Sequence, residues 1–493
     1  MTAPRPLSSL LIAGGGPAGW GFAALLSQRL QGAAPEISVM ETGAPTIPDI
    51  VSTLPSIRTF HAALGLADAD AIRRCSGSFK LGERFEDFSG AGSSAFLPYG
   101  EIGAGIGPVR FHQQLARLSD GVSSPAYAEY ALATRAAADN RFAPPAKDPR
   151  SFLSTLDYGF HLDADAYTTL LREIAVRNGV KVLHDEAGAI DYGNDGRIAS
   201  IRLTAGEPVA ADFFVDATPD GRIVRKLCSG GWRADPPLPF DRVACMRRPQ
   251  DGTVPPFTTN RAMPAGWLRQ IPLAGSLHNK LTFASDYLDD GQASAMLGSD
   301  SIDFADHACG FRPAPWQANC LAIGPAAWRL DPLAAADMHL VASAGERFMR
   351  LLPHAGSSAA EASEYNRLFC EEIATARDFA RLFQRCQSRG EPVWKAARKT
   401  PVSNELAHAL ALFESRGRIA RRENLVHDET RWIAAFLAMG VRPRNHDPQA
   451  GALGRRALTE RTARIAEMAR QSAESMPGHD RMLARIAAGG STP

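Results

Sequence analysis

The 493-residue sequence predicts an α/β fold with a Rossmann-type core, a β-sheet module set into that core and a mainly helical C-terminal module. Three observations predict it. A glycine run joins an apolar strand to a helix start at residues 10–20, a second apolar strand ends in an acid within residues 211–221, and apolar residues recur at helical spacing from Glu361 onward.

The first motif is Leu10-Leu11-Ile12-Ala13, then Gly14-Gly15-Gly16-Pro17-Ala18-Gly19 and Trp20. Gly14 allows the tight turn, Gly16 lets a pyrophosphate approach the backbone and Gly19 lets the helix pack closely on the strand, with Ala18 in the same first turn. The phosphates then sit at the positive helix end. Glu41 follows Ile37-Ser38-Val39-Met40, about 20 residues past the last glycine, where a carboxylate accepts hydrogen bonds from a ribose 2′-OH and repels a 2′-phosphate. A glycine-rich turn with no ligand is the plainer alternative, but strand, turn, helix and acid in this order select dinucleotide binding. The second run, Ala211 to Gly221, is similar to the later motif of two-motif flavoproteins, which places Asp216 against the ribityl or phosphate region and favours FAD over NAD. The expected class is therefore a two-motif Rossmann-type FAD-binding fold.

A chain this long exceeds one ordinary core, so two packed modules sharing a cofactor are expected. Hydrophobic content of 45% and charged content of 22% are those of a soluble globular protein. A net charge of +1, with no extended basic patch, gives no case for a nucleic-acid partner. Cys75, Cys228, Cys245, Cys309, Cys320, Cys370 and Cys386 are odd in number and scattered, without a CxxC pair, which fits reduced thiols in a cytoplasmic protein and no metal site. Arg5 and the apolar stretch after it mimic a secretory leader, yet the glycines and the amphipathic run Ala23 to Leu30 fit a first Rossmann unit. No apolar run is long enough to span a bilayer, so no membrane partner is expected.

Along the chain, a Pro-rich loop from Gly43 to Pro55 precedes a helix ending near Leu66, and Ser78 to Phe88 alternates as a half-buried strand does. Residues 121–150 read as a surface excursion. Tyr167 to Asn178 has helical spacing, Val180 to His184 is a strand, and Ala189 to Tyr192 with Ile198 to Leu203 form a hairpin around Asn194-Asp195-Gly196. Arg455 to Ala488 is expected to be an exposed helical tail. The expected division assigns 1–115, 155–225 and 310–350 to the FAD domain, 226–309 to an inserted substrate-side sheet and 351–493 to the helical module.

Taken in order, the Gly14–Trp20 run, Ser78-Phe79-Lys80, Phe160-His161-Leu162-Asp163, the Asp216 motif, Gly266-Trp267-Leu268-Arg269-Gln270-Ile271-Pro272 and Asn319-Cys320-Leu321-Ala322-Ile323-Gly324 resemble the flavin-dependent tryptophan halogenases, from Leu10 to about Trp432. The resemblance implies FAD as cofactor, with Gly324 and Pro332 beside it. It implies a flavin C4a-hydroperoxide that oxidises halide, and a lysine, matched by Lys80, that delivers the halogen to the ring across a tunnel. Three departures bear on the chemistry. Arg269 replaces the second tryptophan of the family's Gly-Trp-x-Trp-x-Ile-Pro run, and Ala334-Ala335-Ala336-Asp337 replaces a Glu-Ser-Thr-Gly halide turn, where a negative Asp337 is expected to repel chloride. The glycine-rich flavin loop is replaced by Pro48 to Pro55.

These departures lead to the expectation of direct oxygen transfer. The chain would be an FAD-dependent monooxygenase that hydroxylates a tryptophan ring in a peptide or protein, resembling the flavoproteins of tryptophylquinone cofactor biogenesis in quinohemoprotein amine dehydrogenase maturation. A halogenase with an atypical halide site and a non-catalytic flavoprotein that binds a maturation partner are the alternatives. Reducing equivalents would come from NAD(P)H or a separate flavin reductase. Lys80 would hydrogen-bond the transferred oxygen, or else lie exposed along a packed stem. Arg269 would face flavin or substrate, or form a salt bridge. Asp337 would act beside the flavin or cap the helix it begins, and His339 would accept the ring proton or be a satisfied structural histidine.

Overall fold

The computed structural model describes residues 5–30, 35–41, 50–107, 109–118, 127–185, 187–204, 206–227, 231–236, 238–299, 301–355, 359–420, 422–452 and 454–490. At its centre is a six-stranded sheet in the order Trp316–Gln317, Cys320–Ala322, Phe213–Asp216, Ser9–Ala13, Glu36–Met40 and Lys181–Leu183. All neighbours are parallel except the first pair. A parallel sheet is covered on both faces, which is why Leu10, Leu11, Ile12 and Ala13 form an unbroken apolar run and are all buried. The helix Pro17–Arg29 packs against the helices Ala164–Arg177 and Asp337–Arg350. The two motifs seen in the sequence thus lie side by side, with Ala13 directly opposite Asp216.

A seven-stranded sheet has the order Asp303–Asp306, Arg242–Pro249, Ser276–Phe283, Gly266–Leu273, Thr258–Met263, Gly82–Glu86 and Ser94–Pro98. It therefore draws two strands from residues 82–98 and is not confined to the 226–309 segment. The expected single strand from Ser78 to Phe88 is in fact two. Ser78–Lys80 pairs with Gly159–Asp163 in a three-stranded sheet, while Gly82–Glu86 pairs with Thr258–Met263. Leu81 is the joint, and its N–H bonds the Pro256 carbonyl at 2.7 Å. Because the chain passes here from one sheet into another, neither face meets water, and Lys80 and Glu83 are wholly buried instead of half-exposed. The Pro-rich loop is described only from Ile50, where Ile50–Ser52 is a strand; Gly43 to Asp49 lie outside the described residues, as does Cys228. The expected excursion at 121–150 contains the helix Leu132–Ala138, and residues 121–126 lie outside the described ones.

The helical module opens with the helix Ala359–Cys386, which packs on the helix Glu429–Ala438. Residues 455–488 are not an exposed tail. The helix Arg455–Glu474 packs on Leu132–Ala138, and the helix His479–Ala487 packs on Asp68–Arg74, burying Leu458, Ala469, Ala473, Met482 and Ile486. Hydrophobic spacing alone could not distinguish an amphipathic helix awaiting a partner from one already docked. His479 fixes the docking. Its Nδ1–H donates to the Val254 carbonyl at 2.7 Å and its Nε2 accepts the Phe79 N–H at 3.3 Å, so the neutral imidazole joins C-terminus to core.

Burial holds the His479 pKa down to about 4, and likewise His61 to about 3, His112 to about 4 and His307 to about 4. The unfolded chain then binds more protons than the folded one below neutrality, so this part of the stability is present above about pH 6.5 and is lost as pH falls toward 4. The melting temperature is expected to drop over that window. His479→Ala is expected to cost about 1–3 kcal/mol and to expose residues 455–487 to limited proteolysis. Unchanged melting and protease resistance in that variant would contradict the docking role.

Candidate functional site

The first motif builds a cradle for a dinucleotide. Gly14 has φ +117°, a conformation side chains rarely adopt, and a Cβ there would lie 2.5 Å from the Ala217 carbonyl oxygen. A Cβ on Gly19 would meet the Gly14 carbonyl oxygen at 1.9 Å, so strand and helix touch at that point. A Cβ on Gly16 meets nothing within 4 Å, which leaves open space in front of the N–H groups of the helix Pro17–Arg29. Gly324, at φ +56°, lies against Ala18, since a Cβ there would be 2.6 Å from the Ala18 Cβ. These features fit the pyrophosphate of FAD. Glu41 ends its strand as expected, but its carboxylate already takes Arg172 Nε at 2.8 Å and lies 3.0 Å from His184 Nδ1.

Asp216 is engaged within the protein. It is wholly buried, and its carboxylate accepts N–H bonds from Thr218, Ile223 and Val224 at 2.8–3.0 Å and the Thr218 hydroxyl at 2.6 Å. Its oxygens close the turn after the second motif strand, so Asp216 shapes the loop.

Lys80 lies at the centre of a buried charge cluster. Its Nζ is 2.6 Å from Glu83 Oε1, and both side chains are inaccessible to solvent. Arg431, from the helix Glu429–Ala438, brings Nη2 within 3.4 Å of Glu83 Oε2, and Arg269 Nη2 lies 3.8 Å from Oε1. Three cations thus face one carboxylate. Burial alone would raise the Glu83 pKa, but Lys80, Arg431 and Arg269 hold it down to about 2. Burial, helped by Arg269 and Arg431 and opposed by Glu83, pushes Lys80 down to about 7. Neither Glu83 nor Arg431 was anticipated. Glu83 had one legible signal, a carboxylate three residues from Lys80 amid Phe79, Leu81 and Phe85; Arg431 had none, because it arrives from more than 300 residues away.

Arg269 joins this cluster to the turn that replaces the halide run. Its guanidinium donates to the Pro332 carbonyl and, at 3.3 Å, to Ser52 Oγ. Pro332–Ala334 is a single 3₁₀ turn, capped by Asp331 and followed by Ala335 at φ 50°. Burial raises the Asp331 pKa to about 6. Asp337 is neither in the turn nor the helix cap. It is the first residue of the helix Asp337–Arg350, with Ala336 at the cap, and its exposed side chain takes the Trp328 indole N–H at 3.1 Å. His339 has the contacts of the structural reading: Nδ1 is 2.9 Å from Ser56 Oγ, and Nε2 is 3.3 Å from Glu372 Oε1. Burial works to raise Glu372, but His339 and Arg347 together hold it below the usual carboxylate range. Lys80, Arg269 and Pro332 are thus brought together, while Asp337 and His339 are engaged elsewhere. Trp267 is core, packed edge-on to Phe240 with ring centroids 4.8 Å apart.

The family model for tryptophan halogenase matches residues 9–455. The chain belongs to the tryptophan halogenase family. Among solved structures it is similar to BrvH, a flavin-dependent halogenase from Brevundimonas sp. BAL3, with 29% identity, a TM-score of 0.91 and coverage of 97% of this chain and 99% of that one. It is also similar to Xcc4156, a flavin-dependent halogenase from Xanthomonas campestris, with 26% identity, a TM-score of 0.92 and 99% coverage of each chain. Tryptophan 7-halogenase KtzQ of Kutzneria sp. (strain 744) is 24% identical over 450 residues, covering 83% of this chain and 82% of the relative. FAD is the cofactor of this flavin-dependent family. Among the described residues no helix is long and apolar enough to cross a membrane, and no group of His, Cys, Asp or Glu could hold a metal ion.

Two contrasts test the site. Gly16→Ala is expected to fold as the native protein does and to lose at least about tenfold in FAD affinity, whereas Gly19→Ala is expected to lose about 1–3 kcal/mol of stability before FAD is added. Equal effects on melting and on flavin titration would contradict the cradle. Glu83→Gln leaves three buried cations without their carboxylate and is expected to cost about 3–5 kcal/mol, with the Lys80→Met/Glu83→Gln double variant losing less than Glu83→Gln alone. Additive losses in denaturant unfolding would show that the two residues are not coupled.

Proposed function

We propose that this protein is an FAD-dependent halogenase of an electron-rich aromatic ring of the indole type, with Lys80 as the side chain that presents the oxidised halogen to the ring. The observation that carries this reading is the buried Lys80–Glu83 pair, held behind the Arg269–Pro332 contact and separate from the Gly16 cradle. Bound FAD, reduced by a separate flavin reductase, supplies the two-electron oxidation that O2 makes possible. The chain's own residues do the rest. Lys80 Nζ, with its pKa near neutrality, is present both as an ammonium that donates a hydrogen bond and as an amine that takes up an electrophilic halogen. Arg269 holds the Pro332 carbonyl and so fixes the start of the Pro332–Ala334 turn. In the ring the C–H bond gives way to a carbon–halogen bond, and the proton leaves to solvent or a nearby base.

A second reading is favoured by one observation. Ala334, Ala335 and Ala336 offer no carboxylate or hydroxyl where the sequence comparison expects them. In that case oxygen, not halogen, reaches the ring, and the substrate is a tryptophan in a peptide or protein, as in tryptophylquinone formation.

Both readings are tested by mass spectrometry of tryptophan, indole and a tryptophan-containing peptide after incubation with the FAD-loaded protein, a flavin reductase, O2 and bromide, chloride or no halide. A halogen isotope pattern that requires halide, reduced on the order of 10²-fold or more in Lys80→Ala, is expected. A gain of one or two oxygens regardless of halide would establish the second reading instead.

A further inference from the structure

The strand that carries Lys80 is short and lies at an edge. Ser78–Lys80 pairs on one side with Gly159–Asp163 and is an edge strand of its three-stranded sheet among the described residues. An edge strand of this length is a weak platform, because its outward backbone groups have no neighbouring strand to hold them. Single groups from distant segments take that place. The Leu81 N–H bonds the Pro256 carbonyl at 2.7 Å, and the Leu81 carbonyl accepts the Tyr99 N–H at 2.8 Å. The Phe79 N–H, next to Lys80, goes to His479 Nε2 at 3.3 Å, across 400 residues of chain.

His479 is held from every side for this contact. It is wholly buried as the first residue of the helix His479–Ala487. Its Nδ1–H donates to the Val254 carbonyl at 2.7 Å, which fixes one tautomer and leaves the Nε2 lone pair for Phe79. The ring packs edge-on to Phe79 and Phe142, whose own rings stack with centroids 3.7 Å apart. Its backbone N–H bonds the Asn140 carbonyl at 2.8 Å, and the Pro477 carbonyl accepts the Phe142 N–H at 3.1 Å. The Asp480 carboxylate accepts the Val254 N–H at 2.8 Å and the Asn140 amide at 3.0 Å. A helix docked for stability needs only buried apolar side chains, whereas an imidazole with both nitrogens committed also fixes the backbone it touches. The match to the family model ends at residue 455, so the clip formed by residues 477–480 lies beyond it.

We propose that His479 is a positioning residue for Lys80: through the Phe79 backbone it sets where the edge strand lies, and so how Lys80 Nζ meets Glu83. The inference deepens the halogenation reading and rests on it for the role of Lys80. A misplacement of about 1 Å at a reacting group costs on the order of 100-fold in rate. Turnover therefore depends on the clip, while capture of FAD uses the glycine cradle and does not.

The test compares the FAD-loaded full chain with two variants. His479→Phe keeps an aromatic ring against Phe79 and Phe142 but removes both hydrogen bonds, and His479→Gln has an amide that donates and accepts. Each is assayed below its own melting temperature for halogenation of indole with bromide, for FAD affinity, and for the titration of Lys80 by nitrogen NMR of lysine-labelled protein. His479→Phe is expected to lower kcat at least about tenfold with KM and FAD affinity held within about twofold, and His479→Gln to recover most of that loss. The Lys80 midpoint, about 7 in the native protein, is expected to move up toward the ordinary lysine value in His479→Phe as water reaches the loosened ammonium. A lowered melting temperature with unchanged kcat, or with an unmoved Lys80 midpoint, would overturn the proposal and leave His479 a stabilising contact only. Native protein that yields no halogenated product would remove the halogenation reading instead, and the Lys80 midpoint in His479→Phe would then decide the clip by itself.

Discussion

One carboxylate holds together elements from three separate stretches of this chain. Glu83 stands in a strand of the seven-stranded sheet and pairs with Lys80, whose strand belongs to a different sheet. It draws in Arg269 from a third strand and Arg431 from the C-terminal helices, while Arg269 in turn grips the Pro332 carbonyl beside the helix Asp337–Arg350. Removing any member leaves the others buried with unbalanced charge, which is far more costly than losing an exposed pair. The ion cluster therefore couples the three-stranded sheet, the seven-stranded sheet and the helical module.

The legible parts of the sequence are those whose physics is local. The glycine turn, the following helix, the Asn194-Asp195-Gly196 hairpin and the two parallel motif strands depend on neighbours a few residues apart, and all were readable. What could not be read depends on packing between distant segments. Asp216 has the type and position of a cofactor ligand, yet its bonds to Thr218, Ile223 and Val224 turn it inward. Residues 455–488 have the composition of a solvated helix, yet His479 ties them to Val254 and Phe79. Lys80 was picked out by family resemblance, but its burial and its partner Glu83 follow from a strand that changes sheets at Leu81, which no periodicity reveals.

The same distinction applies to the chemistry. The alanine turn and Asp337 suggested a site hostile to halide, an inference made from alignment of charge along the chain. In space Asp337 faces outward to Trp328, and the charge that matters comes from Arg269 and Arg431, which are remote in sequence and adjacent in the fold. Electrostatics near Lys80 is thus set by tertiary packing, and it is positive.

The most direct measurement is peptide mass mapping of the FAD-loaded protein after reduction and exposure to O2 with bromide but no aromatic substrate. The account expects a bromine isotope pattern on the Lys80 side chain that is absent in Lys80→Met. Oxygen added to nearby side chains to the same extent with or without bromide, and no bromine on Lys80, would contradict it.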